Sequence, residues 1–354
     1  MEDPTWELTS AMPSRMKTSL FCIFLLFLIS RTSAQDSKQF AVVFYNAENL
    51  FDWKNDSLTN DDEFTPAGER HWTYKRFQKK IQNTSKALLA AGEWNTPSVI
   101  GLCEVENRFV LEQLLENTAL QSIGYRIIHK ESPDARGIDV ALLYNPNDFY
   151  PVEYNYFPLI DRDGSARSTR EILHVAGILG GTDTVHFFMN HWPSRYGGLM
   201  ETKESRKSAA ELLREKANQI LEQNQQAKMV IMGDFNDQPN DESLVSLGAQ
   251  TLLDEVVNDR LYNLSAEWMN RNTGTLKFQS QWFVFDQIIV SGTLLNSQKG
   301  ISTIPENATI VALPFLLETD ERYGGQKTFR TYNGFQYNGG FGDHLPIRLL
   351  LELN

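Results

Sequence analysis

The chain has 354 residues, 41% of them hydrophobic, and a formal net charge of −12. It is long enough for one large domain or two ordinary ones around a sizeable core, and its acidity excludes tight, sequence-blind attraction to polyanions by charge alone. Only Cys22 and Cys103 are present, and Cys22 lies in a segment expected to be removed, which rules out a disulfide framework and a multi-cysteine zinc site.

Leu20 to Ile29 is an uninterrupted apolar run, too short to span a bilayer comfortably. Arg15 and Lys17 precede it, and Thr32 and Ala34 stand as small residues before a cleavage point. Residues 1–34 are therefore expected to be a secretory signal peptide, with Gln35 the new amino terminus and the mature protein secreted or periplasmic. The acidic segment before Met16 is foreign to such a leader, so Met16 is an alternative start. Removing residues 1–34 takes away Glu2, Asp3 and Glu7 but also Arg15, Lys17 and Arg31, and the net charge stays at −12. Residues 35–354 carry no repeat, linker-like tract, stable membrane anchor or evident protein-partner motif, and are expected to form a single catalytic domain.

Phe40 to Tyr45 is a compact strand candidate ending in Asn46-Ala47-Glu48-Asn49. Thr73 to Ala91 reads as a helix, Pro97 to Cys103 as a strand delivering Glu104 and Glu106, and the segment after Asn107 as a second helix. Tyr125 to His129 and Ile138 to Tyr144 are strands flanking a turn with Arg136. Further strands are expected over Val152 to Ile160, Ile172 to Leu179 and Val185 to Met189, the last followed by Asn190, His191 and Arg195. The strongest helix, Glu201 to about Gln223, places Ala209, Leu213 and Ala217 on one face, with Arg206 one heptad before Leu213. There it either aims at the site or snorkels to water.

Met229 to Met232 is a short buried-strand candidate that stops at Gly233. If the backbone stays extended, Asp234 and Asn236 point the same way at the carboxyl end of that strand, where open α/β sheets bind ligands. The alternative is that both residues merely cap the turn before Pro239. Phe283 to Val290, containing Asp286, and Ile347 to Leu351, following Asp343-His344-Leu345-Pro346, complete the pattern. Each polar residue alone reads as easily as a turn cap or surface charge. Together they are oxygen and imidazole donors without a usable thiolate, a set suited to a hard cation such as Mg²⁺ or Mn²⁺.

In these stretches, above all Gly-Asp-Phe-Asn at Gly233 to Asn236 and Gly-Asp-His-Leu-Pro at Gly342 to Pro346, the chain resembles the endonuclease/exonuclease/phosphatase superfamily, a secreted, deoxyribonuclease I-like member. The resemblance runs from Asn46 to His344. It implies a four-layer α/β sandwich, two packed mixed β-sheets flanked by helices, with a metal-dependent phosphoesterase site on their shared edge. It further implies metal roles for Asn46, Glu48, Glu104 and Asp343. Catalytic roles fall to His191, Asp234, Asn236, Asp286 and His344, with Asp286 orienting the last histidine. Asn190 and His191 would donate hydrogen bonds to phosphorus oxygens. His191 is similar to the deoxyribonuclease I, sphingomyelinase and phosphatase branches rather than to abasic-site endonucleases.

Arg136 and Arg195, with Asn190, are the candidate substrate contacts; the plain reading of both arginines is a solvated loop charge. Tyr332, Phe335, Tyr337 and Phe341 either stack on bases or pack on one another. The leading expectation is a secreted, Mg²⁺- or Mn²⁺-dependent phosphodiester hydrolase, an endonuclease on DNA or RNA. The alternative is the same chemistry on a phospholipid headgroup or a sugar or inositol phosphate. Third comes a catalytically inactive binding module.

Overall fold

Val42 and Phe44 face one way along the first strand and Val43 and Tyr45 the other, yet all four are fully buried. A strand covered on both faces belongs to a central layer, and the remaining elements supply its two covers. The structure, a computed structural model, describes Met1 and residues 38–93, 95–160, 164–251, 255–271 and 273–354. The expected leader, with Leu20 to Ile29, Thr32, Ala34 and Gln35, lies outside the described residues. Residues 38–354 form one unit by their contacts.

In chain order come β1 (Lys38–Leu50), α1 (Tyr74–Ala91), β2 (Pro97–Val105), α2 (Arg108–Glu116), β3 (Arg126–His129) and β4 (Asp139–Tyr144). Then follow β5 (Phe149–Phe157), β6 (Ile172–Leu179), β7 (Asp183–His191), α3 (Leu199–Gln223), β8 (Lys228–Asp234), α4 (Glu242–Leu247) and β9 (Leu261–Asn263). The hairpin β10 (Leu276–Phe278) and β11 (Gln281–Phe283) leads to β12 (Asp286–Ser291), α5 (Gly292–Asn296), β13 (Ile301–Ser302) and β14 (Ala308–Ile310). Two more hairpins, β15 (Leu317–Thr319) with β16 (Gln326–Thr328) and β17 (Tyr332–Asn333) with β18 (Gln336–Tyr337), precede β19 (Ile347–Leu353).

One sheet has the order β13-β19-β1-β2-β4-β3, with β14 also on β19; the other has β5-β6-β7-β8-β12-β9. Each holds one parallel pair, β1 with β2 and β7 with β8, among antiparallel neighbours. The crossover each parallel pair needs is a helix, α1 in the first sheet and α3 in the second. Thr73 and Asn107 start α1 and α2 by accepting the backbone N–H of Arg76 and Val110.

Val42 and Phe44 meet Phe187, Met189, Val230 and Met232 between the sheets. Val43 and Tyr45 pack instead with Phe77, Ile81 and Leu114 under α1 and α2, and Phe188 and Ile231 lie with Ala209, Leu213 and Ala217 under α3. The layers are helix, sheet, sheet and helix, as the sandwich reading requires.

Two strands differ from expectation. Phe283 to Val290 is broken, because Thr275 Oγ1 accepts the N–H groups of both Phe285 and Asp286 (3.2 and 3.1 Å) and Phe285 O is taken by Phe235 N–H. Strand β5 starts earlier than Val152 and stops before Ile160, crossing Pro151 at a register shift. It is an edge strand, where proline's missing donor is tolerated.

Candidate active site

Pairing register alone assembles half of the site. His191 lies opposite Asp234 across the parallel pair β7–β8, and Asp234 opposite Asp286 across β8–β12. The three form a buried row over three strand ends, 3%, 2% and 0% exposed. Gly233 lets the row close up: a Cβ there would stand 2.5 Å from Asn190 Cβ and O. His344 completes it, with Nδ1 2.6 Å from Asp286 Oδ2 and Nε2 3.8 Å from Asp234 Oδ2. Thr275 clamps both members of this pair. Its hydroxyl holds Asp286 N–H, and its carbonyl accepts Leu345 N–H at 2.7 Å.

The other half comes from the first sheet, where irregularity does the positioning. The β1–β2 register shifts between Asn46 and Leu50, and the β2–β4 register shifts at Cys103/Val105. Glu48, Asn49 and Glu104 all have positive φ (49, 53 and 58°), a conformation costing non-glycine residues on the order of 1–3 kcal/mol each. Such bulges re-aim a side chain. Here they bring Glu104 Oε2 to Asn49 N–H (2.8 Å) and its Oε1 toward Asn46 Nδ2 (3.4 Å) and His191 Nε2 (3.9 Å). Arg330 joins the two outer carboxylates, its Nε 3.0 Å from Glu48 Oε1 and its Nη2 3.0 Å from Asp343 Oδ2. Thr331 N–H donates to Glu48 Oε2 at 2.7 Å, and buried Lys80 stands 3.7 Å from the same oxygen.

Burial raises the Asp234 carboxyl, Asp286 and Glu104 adding to the effect while His344 opposes it. Burial would lower His344, but Asp286 and Asp234 outweigh it and hold the imidazole well above its usual range. His191 moves the opposite way: burial, then the charges of Arg170 and Arg136, keep it neutral. One histidine is thus a charged donor and the other a neutral one.

The donor set has the chemistry a hard divalent ion prefers, while the acid and histidine donor atoms that already converge within 4.8 Å among the described residues are those of His129, Glu131 and Asp139. Glu48, Glu104 and Asp343 offer carboxylate oxygens and no thiolate is near except buried Cys103, whose ionisation burial opposes. The Arg330 guanidinium stands between Glu48 and Asp343 and supplies positive charge to both.

Several expected roles change. Asn46, expected among the metal ligands, accepts Glu48 N–H through Oδ1 (2.9 Å), which turns its Nδ2 to Asp234 (3.0 Å) and Glu104. Its amide thereby orients both carboxylates, while Oδ1 keeps a second lone pair. Asn190, expected to contact phosphate, is adjacent to His191 and so faces away from it; its amide donates to Met232 O and accepts from Trp192 Nε1, both at 3.2 Å. Asn236 does not continue the strand. With φ 52° it donates its own N–H to Asp234 Oδ1 and its Nδ2 to Trp192 O, each at 3.0 Å.

Arg195, expected to reach substrate, is spent on Asp237 and Asp241 (2.8 and 2.6 Å) and Asn236 O. Arg206 neither snorkels nor reaches the acid–histidine row: it is fully buried with Nε 2.8 Å from Asp237 Oδ2. Arg136 remains half open, its nearest ion-pair contact Asp134 at 3.8 Å. In the aromatic loop, Tyr332 and Phe341 belong to the core and Arg76 covers Tyr337, leaving Phe335 exposed.

Arg330, Arg170 and Thr275 went unnoticed in the sequence. Arg170 is buried, donating to Asp134 Oδ2 (2.9 Å) and Trp192 O (2.8 Å). No local pattern marks any of the three, since each acts across a long sequence separation.

A mixed α/β sandwich with an acid–histidine row on the shared edge of its sheets defines a class, and the comparisons name it. Residues 41–353 match the model of the Endonuclease/Exonuclease/phosphatase family, and the chain belongs to that family. No curated protein sequence matches it. Among solved structures it is similar to D. rerio TDP2 complexed with single strand DNA product, at 12% identity and TM-score 0.53 over 89% of this chain and 99% of that one. It is likewise similar to the Bacteroides thetaiotaomicron mannosyl-6-phosphatase Bt3783 (16%, 0.53, 88% and 99%) and to the human Nocturnin catalytic domain with bound sulfate anion (14%, 0.53, 90% and 98%). At these identities the likeness is one of fold. No helix among the described residues is long and apolar enough to cross a membrane.

Proposed function

We propose that the chain is a divalent-metal-dependent phosphodiester hydrolase, secreted, that cuts nucleic acid internally by in-line attack of water. The observation carrying the hydrolase reading is the His344–Asp286 pair at 2.6 Å, closed over Asp234 and one carboxamide away from Glu104. Asp286 fixes the ring through Nδ1 and favours the imidazolium, leaving Nε2–H to donate to a nonbridging phosphoryl oxygen. Asp234, whose buried carboxyl is more basic than an ordinary one, accepts the proton of the attacking water. Asn46 Nδ2 holds Asp234 and Glu104 in mutual register, and neutral His191 faces the same carboxylates. A Mg²⁺ or Mn²⁺ ion held by Glu104, Glu48 and Asp343 would neutralise charge on the phosphoryl and leaving oxygens, an effect of several kcal/mol.

The named relatives span both substrate classes, one complexed with a DNA product and one called a sugar phosphatase. A second reading, a phosphomonoesterase on a sugar phosphate, draws on a cavity of about 210 Å³ beside Glu48 lined by Arg70 and Arg330. The test is hydrolysis of plasmid DNA, a single-stranded oligonucleotide, bis(4-nitrophenyl) phosphate and mannose 6-phosphate with Mg²⁺ or Mn²⁺, by the parent protein and His344→Ala. Metal-dependent cutting of DNA and the diester by the parent alone supports the first reading; turnover of only the sugar phosphate replaces it with the second.

A further inference from the structure

The three hairpins between β9 and β19 are absent from the core sheets, and each carries an exposed ring. Phe278 ends β10, Tyr323 sits in the turn of β15–β16, and Phe335 sits in the turn of β17–β18; they are 62%, 40% and 62% exposed. Isolated exposed rings are ordinary, but three on adjoining hairpins beside a candidate active site are a patch. Phe278 and Tyr323 line one groove of about 420 Å³, whose charged lining is Lys277, Arg322, Lys327 and Arg330 against Asp320. Asp320 neutralises Lys277 at 2.8 Å, Glu318 approaches Lys327 at 3.5 Å and Arg330 is shared by Glu48 and Asp343, so Arg322 is the lining cation without a carboxylate partner among the described residues. Arg330 and Gly334 line both this groove and the cavity at Glu48, so the two adjoin. Guanidinium groups already sit against rings here: Arg322 is 5.1 Å from the Tyr323 centroid and Arg70 is 5.3 Å from that of Phe335.

We infer that this rim binds the unpaired bases of a single-stranded nucleic acid flanking the scissile phosphate, which makes single strands the preferred substrate of the phosphodiesterase reading on which this rests. Ring faces are sequence-tolerant stacking platforms for bases, and cations track the backbone between them. A duplex offers no free base face to these rings. A sugar phosphate would fill the inner cavity and leave Phe278 and Tyr323 without a role. Phe278 and Tyr323 flank a concavity, which suits an inserted ligand better than insertion of the rim into a membrane.

The test compares the parent with a Phe278→Ala, Tyr323→Ala, Phe335→Ala triple variant and a ring-preserving Phe278→Trp, Phe335→Tyr variant. For each, kcat/KM on a single-stranded oligonucleotide is divided by kcat/KM on bis(4-nitrophenyl) phosphate. Anisotropy of labelled oligothymidylate, a duplex of equal length and phosphatidylserine vesicles is read on the His344→Ala background. The expected result is a fall of tenfold or more in the ratio and in oligothymidylate affinity for the alanine variant, with both retained in the ring-preserving one and weaker duplex binding throughout. A ratio within twofold of the parent, equal duplex binding, or ring-dependent binding of vesicles instead would overturn the inference. Oligothymidylate binding that needs the rings in a protein inert toward the diester would sink the hydrolase reading and leave the strand-binding rim standing.

Discussion

The two sheets meet at one edge and supply the site in opposite ways. The second sheet contributes His191, Asp234 and Asp286 from regular strands in simple register, all nearly inaccessible, and Asp286 holds His344 through a short hydrogen bond of 2.6 Å. The first contributes Glu48 and Glu104 from bulged, left-handed positions, Glu48 tied through Arg330 to Asp343 and Glu104 held by the Asn49 N–H. Rigidity suits the proton-handling pair, whose geometry must be set before substrate arrives. Carboxylates proposed to hold an exchangeable ion instead need aim, and the bulges supply it.

Breaking the acid–histidine row should have the largest effect. His344→Ala is expected to lower kcat by about 10²–10⁴-fold, the usual size of a lost acid–base group, with far-ultraviolet circular dichroism unchanged. Collapse of the fold would remove the catalytic assignment. Arg206→Ala, behind the second sheet, should instead cost stability, on the order of 3–5 kcal/mol for a broken buried ion pair, because Asp237 loses the charge 2.8 Å away. Denaturant unfolding reads that out, and a loss under about 1 kcal/mol would show Asp237 to be satisfied by Arg195 alone.

The first-sheet side should respond to cations. With Arg330→Ala, Glu48 and Asp343 lose their shared guanidinium, so Mg²⁺ or Mn²⁺ should raise the melting temperature more in the variant than in the parent. An equal rise would separate these carboxylates from the ion.

Acid sensitivity sharpens the contrast from outside the site. On the outer face of the second sheet, His174 lies 3.0 Å from His186, and burial, then its neighbour, push its pKa down to about 4. Unfolded histidine titrates near 6.5, so the unfolded chain binds the extra proton first. The neutral packing is intact above about pH 6.5 and is lost as pH falls toward 4, by up to about 3 kcal/mol. His174→Phe, stacking on Phe188 as the imidazole does, should flatten that limb of the stability profile.

The same contrast explains what the sequence disclosed. Asp234, Asp286 and His344 were legible because hydrophobic strands end at or beside them, and strand ends converge on one edge. Asn190 misled for a local reason: next to His191, it had to face the other way. Asn46 and Asn236 are polar and correctly located, but their orientation depends on Glu48 N–H and on a left-handed turn that no period reveals. Arg330 and Thr275 were invisible because their partners lie in other elements, 282 residues away at Glu48 and 11 at Asp286. The three hairpins, with their strands of two or three residues, carry too little pattern to be read at all.

The most direct test of the central claim is hydrolysis of bis(4-nitrophenyl) phosphate by the purified protein with and without Mn²⁺ or Mg²⁺, alongside His344→Ala and Glu104→Gln. Turnover that needs both the ion and His344, with Glu104→Gln requiring a higher ion concentration, is the predicted result. Parent activity that survives chelation, or that persists in His344→Ala, would contradict the account.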